Sequence, residues 1–126
     1  MSKFKSQNLF HTFKNAGRGV RLSVKSERNI KIHFFIAFLV ILFALLLRMS
    51  VTRVCILVIA ISNVMVAEFI NTSLEFGLDA VFHNKYSKLV GMAKDIAAGA
   101  VMLVTISALI VGAILYLPPV IKLLFG

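Results

Sequence analysis

Four polar side chains follow one another at helical spacing in the middle of the sequence, namely Glu68, Asn71, Glu75 and Asp79. At about 100° per residue they fall within an arc of about 80°, so a helix would carry three carboxylates and an amide on one narrow face. Like charges at this spacing repel, and each is costly to desolvate at a membrane boundary, so a cation or a proton normally compensates them. This acidic stripe therefore indicates either a metal site or proton chemistry.

Acidic residues are rare in the chain, which contains five Asp and Glu against fourteen Lys and Arg. The two acids outside the stripe are Glu27 and Asp95, and each has two interpretations. Glu27 would face the helix bundle if the preceding helical phase continues, or it would pair with a nearby cation at a helix end. Asp95 would belong to the same site as the stripe, or it would stabilise the first turn of a helix through the helix dipole. Its neighbour Lys94 would be disfavoured by that dipole, so an anionic partner is expected for it.

The composition is that of an integral membrane protein. The 126 residues are 60% hydrophobic with a mean hydropathy of +0.94, above the apolar share of soluble domains. Three segments reach spanning length, at residues 30–51, 52–82 and 94–117, provided that Arg53 extends its side chain to the membrane surface. Pro118 and Pro119 are expected to end the third helix. We therefore predict an all-α membrane protein with three transmembrane helices in a single domain, residues 1–126.

The amino-terminal segment predicts a further, amphipathic helix. Within residues 9–25 the apolar side chains share one face and the basic side chains cluster opposite, although two glycines allow a local break. Such a helix suits the membrane interface. We predict that residues 1–28 form a surface helix.

The distribution of cations predicts the orientation in the membrane. Eight Lys and Arg lie in residues 1–31 and three more in residues 85–94, against three on the other side of the spans. This asymmetry places the amino terminus and the loop at residues 80–95 in the cytoplasm. Anchoring at an anionic membrane surface explains the basic character, and no RNA-binding motif or zinc finger points to a nucleic-acid partner.

Signatures of soluble enzymes are missing from the sequence, including a phosphate-binding G-x-x-x-x-G-K-[ST] loop, a G-x-S-x-G elbow and an H-E-x-x-H pair. The three histidines, His11, His33 and His83, are scattered and are interpreted as interfacial hydrogen-bonding residues. What remains is the acidic stripe, the Lys94–Asp95 pair and Glu27. Phosphoryl transfer uses such groups, since carboxylates hold Mg²⁺, a lysine meets phosphate charge and a carboxylate accepts a hydroxyl proton.

Four segments that together cover nearly the whole chain resemble the small bacterial membrane kinases, a family that comprises prokaryotic diacylglycerol kinase and undecaprenol kinase. The segments are Phe13-Lys14-x-Ala16-x-x-Gly19, Glu27-x-Asn29-Ile-Lys-Ile-His33, Glu68-x-x-Asn71-Thr72-x-x-Glu75-x-x-x-Asp79 and Ala93-Lys94-Asp95-x-Ala97-Ala98-Gly99-Ala100-Val101. Two features depart from the family's pattern, namely Gly77 within the stripe and the loop at residues 82–90.

The resemblance implies an ATP-dependent kinase that phosphorylates the hydroxyl of a membrane lipid. It also implies a homotrimer in the bacterial cytoplasmic (inner) membrane, with active sites shared between neighbouring subunits. By the same resemblance Glu68 is the catalytic base, Glu27 and Glu75 hold the Mg²⁺ of the nucleotide, and Asn71 and Asp79 support the site. The nucleotide contacts that it implies, besides the metal-holding carboxylates, are Lys85, Tyr86, Ser87, Lys94 and Asp95.

The acceptor lipid has two candidates. The segment Asn29-x-x-Ile32-His33 favours undecaprenol, whereas Gly91-Met-Ala-Lys-Asp favours diacylglycerol, and we predict undecaprenol. A small ion or proton transporter is the alternative from another class, because intramembrane carboxylates relay cations. It predicts acids near the bilayer midplane, whereas the stripe begins at the cytoplasmic end of a helix. A purely structural membrane subunit would leave the grouping of the acids unexplained.

Overall fold

The computed structural model describes residues 8–85 and 87–126, and within these ranges it contains helices and short turns but no strand. In chain order the helices are α1 (Leu9–Ser26), α2 (Arg28–Leu46), α3 (Val51–Phe82) and α4 (Lys88–Phe125). The last three are long and apolar enough to cross a membrane. The predicted all-α architecture of three membrane helices preceded by an amino-terminal helix is therefore confirmed.

The amphipathic helix α1 lies on the surface of the subunit. Asn8 caps its first turn by accepting a hydrogen bond from the backbone N–H of His11 at 3.0 Å. The helix runs through both of its glycines without a break, and none of its residues is buried. Its exposed apolar face, with Phe13 73% exposed, next to a basic face is typical of a helix at the membrane interface.

The first membrane helix ends five residues before the predicted boundary, since α2 stops at Leu46 rather than at residue 51. Arg48 adopts the left-handed conformation, with φ 55°. Ser50 then caps α3 by accepting a hydrogen bond from the backbone N–H of Arg53 at 3.3 Å. The turn and the cap together end one helix and begin the next.

The last membrane helix is longer at both ends than the predicted span of residues 94–117. It begins at Lys88, because the side chain of Ser87 caps its first turn by accepting a hydrogen bond from the N–H of Val90 at 3.2 Å. This start leaves a connection between α3 and α4 of only residues 83–87.

The prediction that Pro118 and Pro119 end the helix is wrong, because α4 continues to Phe125. Pro119 has no N–H to donate to the carbonyl of Leu115, four residues earlier. The guanidinium of Arg53 in α3 donates to that carbonyl instead, with its Nη1 3.0 Å from the oxygen. A side chain of the neighbouring helix thus satisfies the backbone group that the proline leaves free.

The helix α3 lies at the centre of the subunit, since it packs extensively along α4 and also contacts α2 and α1. The hydroxyl of Tyr116 in α4 donates a hydrogen bond to the carbonyl of Val40 in α2. Few apolar side chains are fully enclosed, and the buried ones are Ile30, Ala44, Leu57, Val64, Met65 and Val90. Most of the apolar surface is exposed, as expected for helices that face lipid or other subunits.

Candidate active site

The acidic stripe lies on α3, which is continuous through all four of its positions. The side-chain amide of Asn71 donates a hydrogen bond to Oε1 of Glu75, one turn along, at 3.4 Å. Glu68 is buried, whereas Glu75 and Asp79 are half-buried. The stripe therefore passes from an enclosed carboxylate in the helix to more accessible ones near its carboxyl end.

The buried carboxylate of Glu68 faces a histidine of α2. Its Oε1 lies 3.5 Å from Nδ1 of His33, and the two side chains are 11% and 25% exposed. That nitrogen is buried and has no hydrogen-bond partner among the described residues, so the contact with Glu68 is close without being a hydrogen bond. The interpretation of His33 as a scattered interfacial histidine missed this contact. The available signal was its place in the same family segment as Glu27.

The ammonium group of Lys94 pairs with the last carboxylate of the stripe. Its Nζ donates to Oδ1 of Asp79 at 2.7 Å, and both side chains are about one-third exposed, at 34% and 38%. The expectation of an anionic partner was met within the chain, but the dipole argument behind it was wrong. Lys94 is the seventh residue of α4, which begins at Lys88. It therefore lies beyond the first turn, where the dipole acts.

Asp95 cannot stabilise the first turn of α4 through the helix dipole, because α4 begins at Lys88 and its first turn carries no acidic residue. Asp95 is exposed on α4. Among the loop residues, Lys85 is exposed and Ser87 already serves as the helix cap. Tyr86 lies outside the described residues.

Glu27 lies at the junction between α1 and α2, where its extended backbone (φ −118°, ψ 116°) separates the two helices. Its side chain is half-buried and does not cap α2. The alternative of an ion pair with Arg28 or Lys31 is not observed, since the ion pairs among the described residues are those of Glu68 and Asp79.

The oxygen atoms around Glu75 suit a hard divalent cation. Besides the Glu75 carboxylate, the Oδ1 atom of Asn71 is buried and accepts no hydrogen bond from the described residues. No group of three or more His, Cys, Asp or Glu comes together in the described ranges. Magnesium fits such an incomplete protein site, because it is usually held by one or two carboxylates together with substrate phosphates.

An apolar cavity of about 560 Å³ lies between α2, α3 and α4. Its wall includes His33, the residue that faces Glu68, and extends along the membrane helices past Phe43 and Ala108 to Tyr116. The cavity wall therefore includes the histidine that faces Glu68, at the end of the polar stripe.

The chain is similar to known lipid kinases over most of its length. The model of the family described as prokaryotic diacylglycerol kinase matches residues 14–116. A diacylglycerol kinase of Synechocystis sp. is 40% identical over 117 residues, which cover 93% of this chain and 67% of that protein. An undecaprenol kinase of Bacillus subtilis is 32% identical over 110 residues, covering 87% of this chain and 89% of that protein.

These matches confirm the family resemblance seen in the four sequence segments, and they speak against the transporter and the structural subunit. The chain belongs to the prokaryotic diacylglycerol kinase family and is a lipid kinase.

Proposed function

We propose that this lipid kinase transfers the γ-phosphoryl group of ATP to the hydroxyl of undecaprenol. The observation that carries the proposal is the buried carboxylate of Glu68, which begins the polar stripe and lies against His33, a residue of the apolar cavity wall. A kinase for a membrane lipid needs such a position, because its two substrates come from water and from the bilayer.

In the proposed reaction the carboxylate of Glu68 accepts the proton of the lipid hydroxyl while the hydroxyl oxygen attacks the γ-phosphorus. A new oxygen–phosphorus bond forms, the bond between the γ-phosphorus and the bridging oxygen breaks, and ADP leaves. Proton transfer to a placed carboxylate is a common role in phosphoryl transfer. The burial of Glu68 supports this role, because it limits competition from water.

Glu75 and Glu27 are proposed to hold Mg²⁺ together with phosphate oxygens of the nucleotide. The bound ion would offset the negative charge of the phosphates. Asn71 supports this arrangement by donating a hydrogen bond to Glu75, which fixes the direction of the carboxylate. Glu27 lies at the junction of α1 and α2, so the two proposed ligands belong to different elements of the chain.

Lys94 is proposed to meet the phosphates, with Asp95, Lys85, Tyr86 and Ser87 as further nucleotide contacts. An ammonium group carries three donors, and Asp79 engages one of them. Asp79 then holds the lysine in place while the remaining donors stay available to phosphate oxygens.

The orientation and assembly of the enzyme are also proposals. The excess of cations in residues 1–31 and 85–94 supports a cytoplasmic amino terminus in the bacterial inner membrane. The exposed apolar side chains at the carboxyl end of α3, including Ile70 and Val81, support a homotrimer. Active sites shared between subunits, which the family resemblance implies, are part of the same proposal.

The acceptor lipid distinguishes two candidate functions. Undecaprenol is favoured by the segment from Asn29 to His33, and the relative in Bacillus subtilis is named for that acceptor. Diacylglycerol is the second candidate, because the relative with that name has the higher identity and the segment around Lys94 resembles that branch. Both acceptors present a primary hydroxyl at the membrane surface.

A direct assay tests the proposal and separates these candidates. The purified protein is reconstituted with labelled ATP, Mg²⁺ and either undecaprenol or diacylglycerol at equal mole fraction in the membrane. We expect label in both lipids and a higher kcat/KM for undecaprenol. A higher kcat/KM for diacylglycerol would reassign the acceptor, and no transfer to either lipid would refute the proposed reaction.

A further inference from the structure

We propose that His33 is a positioning residue for Glu68, holding one carboxylate oxygen so that the other faces the lipid hydroxyl. The inference rests on the proposed role of Glu68 as the base. It adds a residue from another helix to that role.

The geometry singles out Nδ1 of the imidazole as the group that acts on Glu68. This nitrogen lies 3.5 Å from Oε1 of the carboxylate, and it is buried without a hydrogen-bond partner among the described residues. A buried ring nitrogen is stable only when it is paired. A movement of a few tenths of an ångström would bring the two atoms to an ordinary hydrogen-bond distance. Both the imidazolium and the neutral Nδ1–H tautomer can donate this bond.

The packing of α2 on α3 keeps the two side chains opposite each other. The next residues in each helix, Phe34 and Phe69, place their rings 6.4 Å apart. One turn before His33, Ile30 is fully buried. The imidazole and the carboxylate are thus both presented by helices that pack together, and not by a loop.

A histidine is a suitable neighbour for Glu68 if that carboxylate has to accept a proton. In the described ranges, the only ion-pair contact of Glu68 is with His33. A permanent cation from Lys or Arg would make any carboxylate a poorer proton acceptor. An imidazole can orient the carboxylate by a hydrogen bond without placing a fixed charge beside it.

The position of His33 also explains why one carboxylate oxygen stays available. His33 lies in the wall of the apolar cavity as well as against Glu68. A hydrogen bond from the imidazole to one oxygen would restrict rotation of the carboxylate and so give its second oxygen a constant direction. A positioned base gains rate because the reacting atoms meet in the productive geometry.

The test compares His33→Phe, which keeps a planar ring but no donor, with His33→Asn, whose amide nitrogen can occupy a place near that of Nδ1. We expect His33→Phe to lower kcat by about 10- to 100-fold with KM for ATP and for the lipid within about twofold. His33→Asn should recover most of that loss. His11→Phe, the same change at an exposed histidine of α1, serves as the matched control and should behave as the unchanged protein.

A second arm separates this inference from the proposed function. This arm measures kcat of Glu68→Gln beside that of His33→Phe, because Glu68→Gln removes the proposed base itself. If Glu68→Gln retains activity, the role of Glu68 is wrong and the inference falls with it. If Glu68→Gln is inactive while His33→Phe keeps its kcat, only the role of His33 is refuted.

Damage to the packing around His33 would give a different pattern of kcat and KM. Equal losses in the Phe and Asn variants, with raised KM values, would show that His33 only packs, and would overturn the proposal. Should His33→Phe fail to fold, His33→Leu takes its place in the same comparison with His33→Asn.

Discussion

The hydrogen bond between Arg53 and the carbonyl of Leu115 predicts a measurable coupling between two distant positions. Arg53→Met removes the guanidinium and keeps much of the apolar stem. A hydrogen bond from a charged donor contributes about 1.5–3 kcal/mol, whereas interhelical hydrogen bonds in a membrane protein average only about 0.6 kcal/mol. Because this donor is charged and its distance is a favourable 3.0 Å, we expect Arg53→Met to lower the free energy of unfolding by about 1–2 kcal/mol.

The cause of that loss is tested by Pro119→Ala. Alanine restores an N–H at position 119, which donates to the carbonyl of Leu115 within α4 and makes the arginine dispensable there. In this background Arg53→Met should cost under about 0.5 kcal/mol, so the double-mutant cycle should give a coupling of about 1 kcal/mol. The measurement is a reversible unfolding titration with a denaturing detergent in mixed micelles.

A matched control is Arg48→Met, the same change at an exposed arginine in the turn before α3. It should alter the free energy of unfolding by under about 0.5 kcal/mol. An equal cost of Arg53→Met with and without Pro119 would refute the reasoning, because the arginine would then stabilise the protein through something other than the free carbonyl.

Three further predictions concern the site itself. Glu68→Gln should abolish lipid phosphorylation by removing the proton acceptor while leaving binding of a fluorescent ATP analogue within about twofold; more than a tenth of normal turnover would contradict its role as base. Asp79→Asn should raise KM for ATP several-fold by releasing Lys94, yet lower stability by under about 1 kcal/mol because the pair is one-third exposed; an unchanged KM would show that the ion pair is only structural. Ser87→Ala should lower the free energy of unfolding by about 1 kcal/mol through loss of the helix cap, and Ser87→Asn should restore it; a raised KM for ATP in both variants would favour the direct nucleotide contact.

The sequence predicted the parts of the site that lie within one helix. The spacing of Glu68, Asn71, Glu75 and Asp79 placed them on one face, and the hydrogen bond between Asn71 and Glu75 follows from that spacing. The three membrane helices could be predicted equally well, because hydropathy is a property of consecutive residues. Family membership followed from motifs that can be read in order along the chain.

Helix ends were harder to predict from the sequence, because several local groups compete to hydrogen-bond with the same backbone atoms. Ser87 extends α4 toward the amino end by capping it, and the available signal was a serine before a helical segment. The continuation through Pro118 and Pro119 had no such signal in the neighbouring sequence. There the carbonyl of Leu115 that Pro119 leaves free accepts a hydrogen bond from a side chain of α3.

The sequence by itself thus determined the periodic face of α3, the apolar spans and the family, since each arises from residues that are neighbours in the chain. Only the tertiary structure decided that His33 faces Glu68, that Lys94 pairs with Asp79 and that Arg53 satisfies the carbonyl of Leu115. The physical reason is that each of these contacts joins two helices. Their partners are chosen by how the helices pack and rotate against one another, which no spacing within a single segment encodes.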